Sequence, residues 1–78
     1  MQIGCGVYRH EVRGRLYLYF WHYETKGGSR RQVTEYVGPA GSLRSREEAL
    51  RRCGAYYEKM AWELERMRAA TAASLSSR

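Results

Sequence analysis

The chain has 78 residues, enough for one domain whose single core only just offsets the conformational entropy of folding. Fourteen Lys and Arg, most of them Arg, face eight acidic residues, all Glu, for a net charge of +6. This balance favours an anionic partner such as nucleic acid, and Arg suits forked contacts to phosphate or guanine. No apolar run approaches the ~20 residues of a membrane span, and residues 1 to 20 lack a signal-peptide layout. A cytoplasmic protein is expected, nucleoid-associated if it binds DNA, with no membrane partner.

Residues 7 to 12, VYRHEV, are predicted to form the first strand. It ends at Arg13-Gly14, where glycine permits the positive φ of a tight hairpin. Gly4 and Gly6 are expected to loosen its start. Residues 15 to 24, RLYLYFWHYE, concentrate Tyr, Phe and Trp without a break and carry the strongest strand signal. Gly27-Gly28 supplies the second turn, residues 30 to 37, RRQVTEYV, return as the third strand, and Gly38-Pro39-Ala40-Gly41-Ser42 ends it.

From Ser45 the period changes. Ser45-Arg46-Glu47-Glu48 fits a capping box, in which serine and glutamate satisfy free amides at a helix start. Ala49, Leu50, Cys53, Tyr56, Tyr57, Met60, Ala61, Leu64 and Met67 then fall on one helical face, and the helix is expected to run to about residue 69. The predicted fold class is α+β: a three-stranded antiparallel meander packed on one long C-terminal helix, βββα. The domain is taken as residues 1 to 70, with residues 71 to 78 a frayed tail.

Two-residue turns at both glycine sites would fix which residues share a side of the sheet. One side then holds Val7, Arg9, Glu11, Leu16, Leu18, Phe20, His22, Val33, Glu35 and Val37. The other holds Tyr8, His10, Val12, Tyr17, Tyr19, Trp21, Tyr23, Gln32, Thr34 and Tyr36. Aliphatic side chains are what a helix stripe packs on, whereas tyrosine suits a surface that is both wet and apolar. The helix is therefore assigned to the first side, leaving the tyrosines open.

An open aromatic side rimmed by Arg13, Arg15, Lys26, Arg30 and Arg31 has the ingredients of a nucleic-acid platform. Rings stack on bases or lie along sugars while guanidinium groups neutralise phosphates. The competing reading makes the same rings a core or a symmetric interface. Arg44 and Arg46 sit at the helix start, where free amides and two cations would hold a phosphate, or where Glu47 and Glu48 simply balance them. Trp62 falls away from the apolar stripe, so self-association is expected to cover it.

Cys5 and Cys53 lie far apart in sequence with no ligand pair beside them, so a zinc site lacks donors and two buried thiols are expected. His10 and His22 fall on opposite sides with no Asp to orient them. No Ser-His-Asp triad can form, and neither an enzyme, a cofactor nor a small-molecule substrate is expected.

Three strands, a basic Gly-rich hairpin and a helix opening with Arg46-Glu47-Glu48-Ala49 resemble the arm-binding domain of tyrosine recombinases and the plant ethylene-response DNA-binding domain. The resemblance covers about residues 7 to 61, with Tyr36-Val37-Gly38 as the matching strand end. It implies a sheet whose outer face enters the DNA major groove. By position it makes Tyr17, Tyr19, Trp21, Arg31, Thr34 and Tyr36 groove-facing. The sequence departs from the pattern in placing tyrosines where those domains often carry arginines. Tyr36-Val37-Gly38-Pro39 after a basic hairpin is also similar to small archaeal proteins of unassigned role and to the leading segments of some transposases.

The expected function is nucleic-acid binding, with duplex DNA preferred and RNA next. Arg13, Arg15, Lys26, Arg30, Arg31, Arg44 and Arg46 would hold phosphates, and Tyr17, Tyr19, Trp21, Thr34 and Tyr36 would meet bases or sugars. The alternative is a homo-oligomeric or adaptor module, such as a homodimer, that buries the same aromatic face against protein.

Overall fold

The computed structural model describes residues 4–76, and within them every side chain but that of Lys26. Three strands, β1 (Cys5–Val12), β2 (Arg15–Lys26) and β3 (Ser29–Pro39), precede one helix, α1 (Leu43–Ser76). The strands form an antiparallel sheet in the order β1-β2-β3, the meander expected from the sequence. Each strand exceeds its predicted span, β2 and β3 meeting in a hairpin as tight as two residues allow and β1 starting earlier, at Cys5. Val12 pairs with Arg15 and Lys26 with Ser29. The turn residues Arg13 and Gly14, at φ 52° and 80°, and Gly27 and Gly28, at 60° and 82°, all lie in the left-handed region. Positive φ at both central positions matches the right-handed twist of the flanking strands.

This register divides the side chains as alternation predicts, up to one irregularity. Tyr19 pairs with Tyr36, but Leu18 pairs with Gly38, so Val37 is an extra residue in a β-bulge. The expectation that Val37 would stand opposite Leu18 is thereby corrected. A β-carbon on Gly38 would collide with Ser45 Oγ, and Gly38 and Ser45 are both buried. The bulge brings the one residue without a side chain to the point where the helix start presses on the sheet.

The helix begins earlier than Ser45. Ser42 Oγ accepts from the Ser45 amide at 3.3 Å, and the Ser42 carbonyl accepts from the Arg46 amide at 3.2 Å. Ser42 is therefore the capping residue, and Ser45 lies in the first turn. At its far end the helix continues past residue 69 through Ser76, where Thr71 Oγ1 donates to the Met67 carbonyl at 3.0 Å. A run rich in Ala costs little to keep helical.

Leu18, Phe20, Ala49, Tyr56 and Ser45 are the buried side chains among the described residues. They lie between α1 and the aliphatic side of the sheet, the side assigned to it from sequence. Two polar latches fix the docking. Tyr56 Oη donates to the Tyr23 carbonyl at 3.1 Å and accepts from the Gly4 amide at 3.3 Å. Arg52 Nη1 donates to the Tyr36 carbonyl at 3.2 Å. Beyond Met60, Trp62, Leu64, Met67 and Leu75 of the helix are exposed. A helix of 34 residues is about 51 Å long, so it dominates the longest extent of 63 Å.

Candidate nucleic-acid interface

The face of the sheet turned away from α1 carries two clusters of aromatic rings. Tyr8 and Tyr19, paired across β1 and β2, stack with centroids 5.5 Å apart. His10 meets Tyr19 edge-on at 5.9 Å, and Tyr36 meets Tyr19 edge-on at 5.7 Å. Tyr17 lies 5.9 Å from Tyr36. Further along β2, Trp21 and Tyr23 form a T-shaped pair at 5.5 Å. Tyr17, Tyr19, Trp21 and Tyr23 are half-buried by one another, whereas Tyr8 and Tyr36 are exposed. Offset and edge-to-face pairs stiffen one another, so the layer is held before any partner arrives.

Gly6 explains how Trp21 lies flat. Gly6 and Trp21 are cross-strand partners, and a β-carbon on Gly6 would stand 2.7 Å from the indole Nε1. A β-carbon on Gly4 would meet the Tyr23 ring at an ordinary 3.5 Å. Gly6 leaves the space that the indole fills, a role alternation cannot show because it concerns the neighbouring strand.

Arginines stand at both ends of this layer. Arg13 and Arg15 lie at the β1–β2 hairpin, Arg15 on the same side as Tyr17. At the other hairpin the Arg30 guanidinium stands over the Tyr23 ring, 5.6 Å from its centroid. Thr34, opposite Trp21, is exposed beside the rings. From Tyr17 to Tyr23 the strand advances about 20 Å, the rise of about six stacked nucleotides. The backbone width of three strands, about 10 Å, matches a major groove about 12 Å wide.

Other expected site residues are placed elsewhere. Arg31 belongs to the opposite side of the sheet, paired across strands with Glu24 and with its Nη2 3.9 Å from the Glu24 carboxylate. The groove-facing place implied for it is corrected, because odd positions of β3 share the helix side until the bulge. Arg44 and Arg46 are exposed in the first turn of α1, in the layer on the far side of the sheet from the rings. The Lys26 side chain lies outside the described residues.

The helix side carries different chemistry. His22 is enclosed there, its ring 5.2 Å from Phe20 and 5.5 Å from Tyr56, with Nε2 3.7 Å from Glu35. His10 is on the open face, so the two histidines do fall on opposite sides. A cleft of about 690 Å³ opens between α1 and the end of β2, lined by Glu24, Glu63, Arg51, Arg52 and Lys59 among others. Of its charges, Arg51 and Arg52 are held by Glu48, whose carboxyl is kept below the usual glutamate range first by the Arg51 hydrogen bond.

Cys5 and Cys53, 48 positions apart in the sequence, are neighbours, with sulfurs 3.1 Å apart and both partly exposed. The expectation of two buried thiols is corrected, because both are partly exposed. Hairpin pairing is local and legible, but strand-to-helix contact over that separation leaves no periodic trace.

No family model matches the chain, and no curated protein or solved structure is significantly similar to it.

Proposed function

We propose that the protein binds nucleic acid through the open aromatic face of its sheet, with duplex DNA as the preferred target. One observation carries this reading: seven aromatic and imidazole rings, five in one contacting cluster and Trp21 and Tyr23 in a second, lie on the side the helix leaves uncovered, with arginines at both ends. The net charge of +6 supplies long-range attraction. Arg13, Arg15 and Arg30 would take phosphates, and Tyr17, Tyr19, Trp21, Thr34 and Tyr36 would meet bases and sugars. Arg44 and Arg46, on the other layer, would meet only a strand that wraps the sheet edge.

The test is an anisotropy titration of labelled duplex, single-stranded DNA and RNA across a salt series. Affinity should fall steeply with salt, and replacing Arg15 and Arg30 together should reduce the log–log slope by about two, close to one unit per phosphate contact. Replacing Arg31 should change it less. No binding at low salt to any of the three sinks the reading.

A second reading, self-association, is favoured by a different surface. Leu43, Leu50, Tyr57 and Leu64 recur every seven residues along α1 and are all exposed, and exposed Met67 follows three residues after Leu64. This is the spacing of a helix-pairing seam. Antiparallel copies would set Glu47 of one beside Arg68 of the other, twice by symmetry. A parallel pair would face Arg46 with Arg46. Association through the tyrosines, or over Trp62, is the expectation from sequence. A seam on the helix instead leaves the rings free, so the two readings are compatible.

A further inference from the structure

We infer that Cys5 and Cys53 are an oxidisable dithiol that a peroxide converts into an intramolecular disulfide tying β1 to α1. Cys5 opens β1 on the helix side of the sheet, and Cys53 sits three turns into α1, directly over it. Their sulfurs are 3.1 Å apart, about 1 Å beyond a covalent S–S bond. Both side chains are partly exposed, so a small oxidant reaches them. Tyr57, one turn beyond Cys53, touches the pair: its hydroxyl is held above the usual tyrosine range, first by its hydrogen bond to Cys5. The Tyr56 latch onto Gly4 and Tyr23 fixes the start of β1 next to this point, so the two sulfurs are held together by neighbouring contacts.

The chemistry balances with hydrogen peroxide as the oxidant. Cys5 loses its proton, and its sulfur attacks one peroxide oxygen. The O–O bond breaks, leaving a sulfenic acid on Cys5 and a hydroxide that takes the released proton as water. Cys53 sulfur then attacks the sulfenic sulfur. The S–O bond breaks, and the departing hydroxide takes the Cys53 proton as a second water. Each thiol has lost one electron and one proton, and the peroxide has gained both electrons and both protons. This order of attack follows from the environment of Cys53, whose thiol is pushed up to about 11, first by burial and then by Cys5. It is protonated at neutral pH and serves as the resolving partner, and the closing step accelerates as pH rises.

The bond would link positions 48 residues apart and close a loop containing the whole sheet. Cross-links over loops of this length stabilise mainly by constraining the unfolded chain. For a domain of this size the melting temperature should rise by roughly 10–20 °C.

The experiment compares the full chain treated with a small excess of hydrogen peroxide against the same chain kept in reductant. The proposal expects a monomer lighter by two hydrogens, no titratable thiol, and a digest peptide joining the Cys5 and Cys53 segments. The raised melting temperature should return to the reduced value on adding reductant. Cys53→Ser should give no cross-linked monomer and leave Cys5 as a sulfenic acid that a dimedone probe traps. Two free thiols after peroxide treatment, or disulfides formed only between chains, overturn it. Because mass is read on the unaltered chain, the result does not depend on the variant's folding or on nucleic-acid binding.

Discussion

The indole of Trp21 lies across the backbone of Gly6, its cross-strand partner, so closely that a β-carbon at Gly6 would stand within 2.9 Å of three indole atoms. The ring cannot shift aside within the sheet, because Tyr23 meets it edge-on at 5.5 Å. Gly6→Ala should therefore displace the ring and cost about 1–3 kcal/mol, as overpacking does. A thermal melt checks the loss, and near-ultraviolet circular dichroism checks that the ring has moved. If the variant binds nucleic acid as well as the parent, Trp21 is not part of the surface.

Arg13 holds a left-handed conformation, φ 52°, in a turn where asparagine before glycine is the favoured pair. A long side chain at that φ costs about 1 kcal/mol. Arg13→Asn should raise stability by up to that amount, seen as a rise in melting temperature, while weakening nucleic-acid binding and its salt dependence. Strain retained where a cation serves function explains both changes. A variant that is more stable and binds equally well would remove Arg13 from the phosphate contacts.

Glu48 bridges Arg51 and Arg52, and Arg52 in turn reaches the Tyr36 carbonyl. Its carboxyl lies below the usual range, chiefly through Arg51. A carboxyl whose folded pKa is depressed stabilises the fold above its unfolded value, about 4.3, and this is lost as pH falls through the folded value. Glu48→Gln should lower the melting temperature slightly at pH 7 and flatten its fall in acid. The effect is small because the pair faces water. Melts from pH 7 to pH 2 check it, and an unchanged acid limb would contradict it.

The helix seam carries its own expectation. Leu50→Lys with Leu64→Lys places charge at two exposed seam positions without touching the buried set of Leu18, Phe20, Ala49 and Tyr56. Sedimentation should show dimer for the parent and monomer for the variant, with the melting profile of the sheet retained. A monomeric parent at concentrations of tens of micromolar would end that reading.

Much of this architecture was legible in the residues themselves. The alternation Leu16, Leu18, Phe20, His22 against Tyr17, Tyr19, Trp21, Tyr23 requires only the strand period, and two-residue turns at glycine fix the register between neighbours. Assigning α1 to the aliphatic side follows from the same alternation, with Leu18 and Phe20 buried beneath it. What escaped depends on three-dimensional contact. The bulge at Val37 exists because Gly38 must receive Ser45, which no strand pattern encodes. Ser42 and Ser45 both precede helix-forming residues, and only packing decides that the first caps and the second is buried. The Cys5–Cys53 contact and the space Gly6 leaves for Trp21 join residues that local spacing does not relate.

Residue-resolved NMR titration with a short duplex distinguishes the uncovered face of the sheet from every other surface. Signals of Tyr17, Tyr19, Trp21, Thr34, Tyr36 and Arg30 should shift on adding duplex, while those of Leu50, Tyr57 and Leu64 stay in place. Shifts confined to α1, or a spectrum unchanged at low salt, would contradict binding through that face.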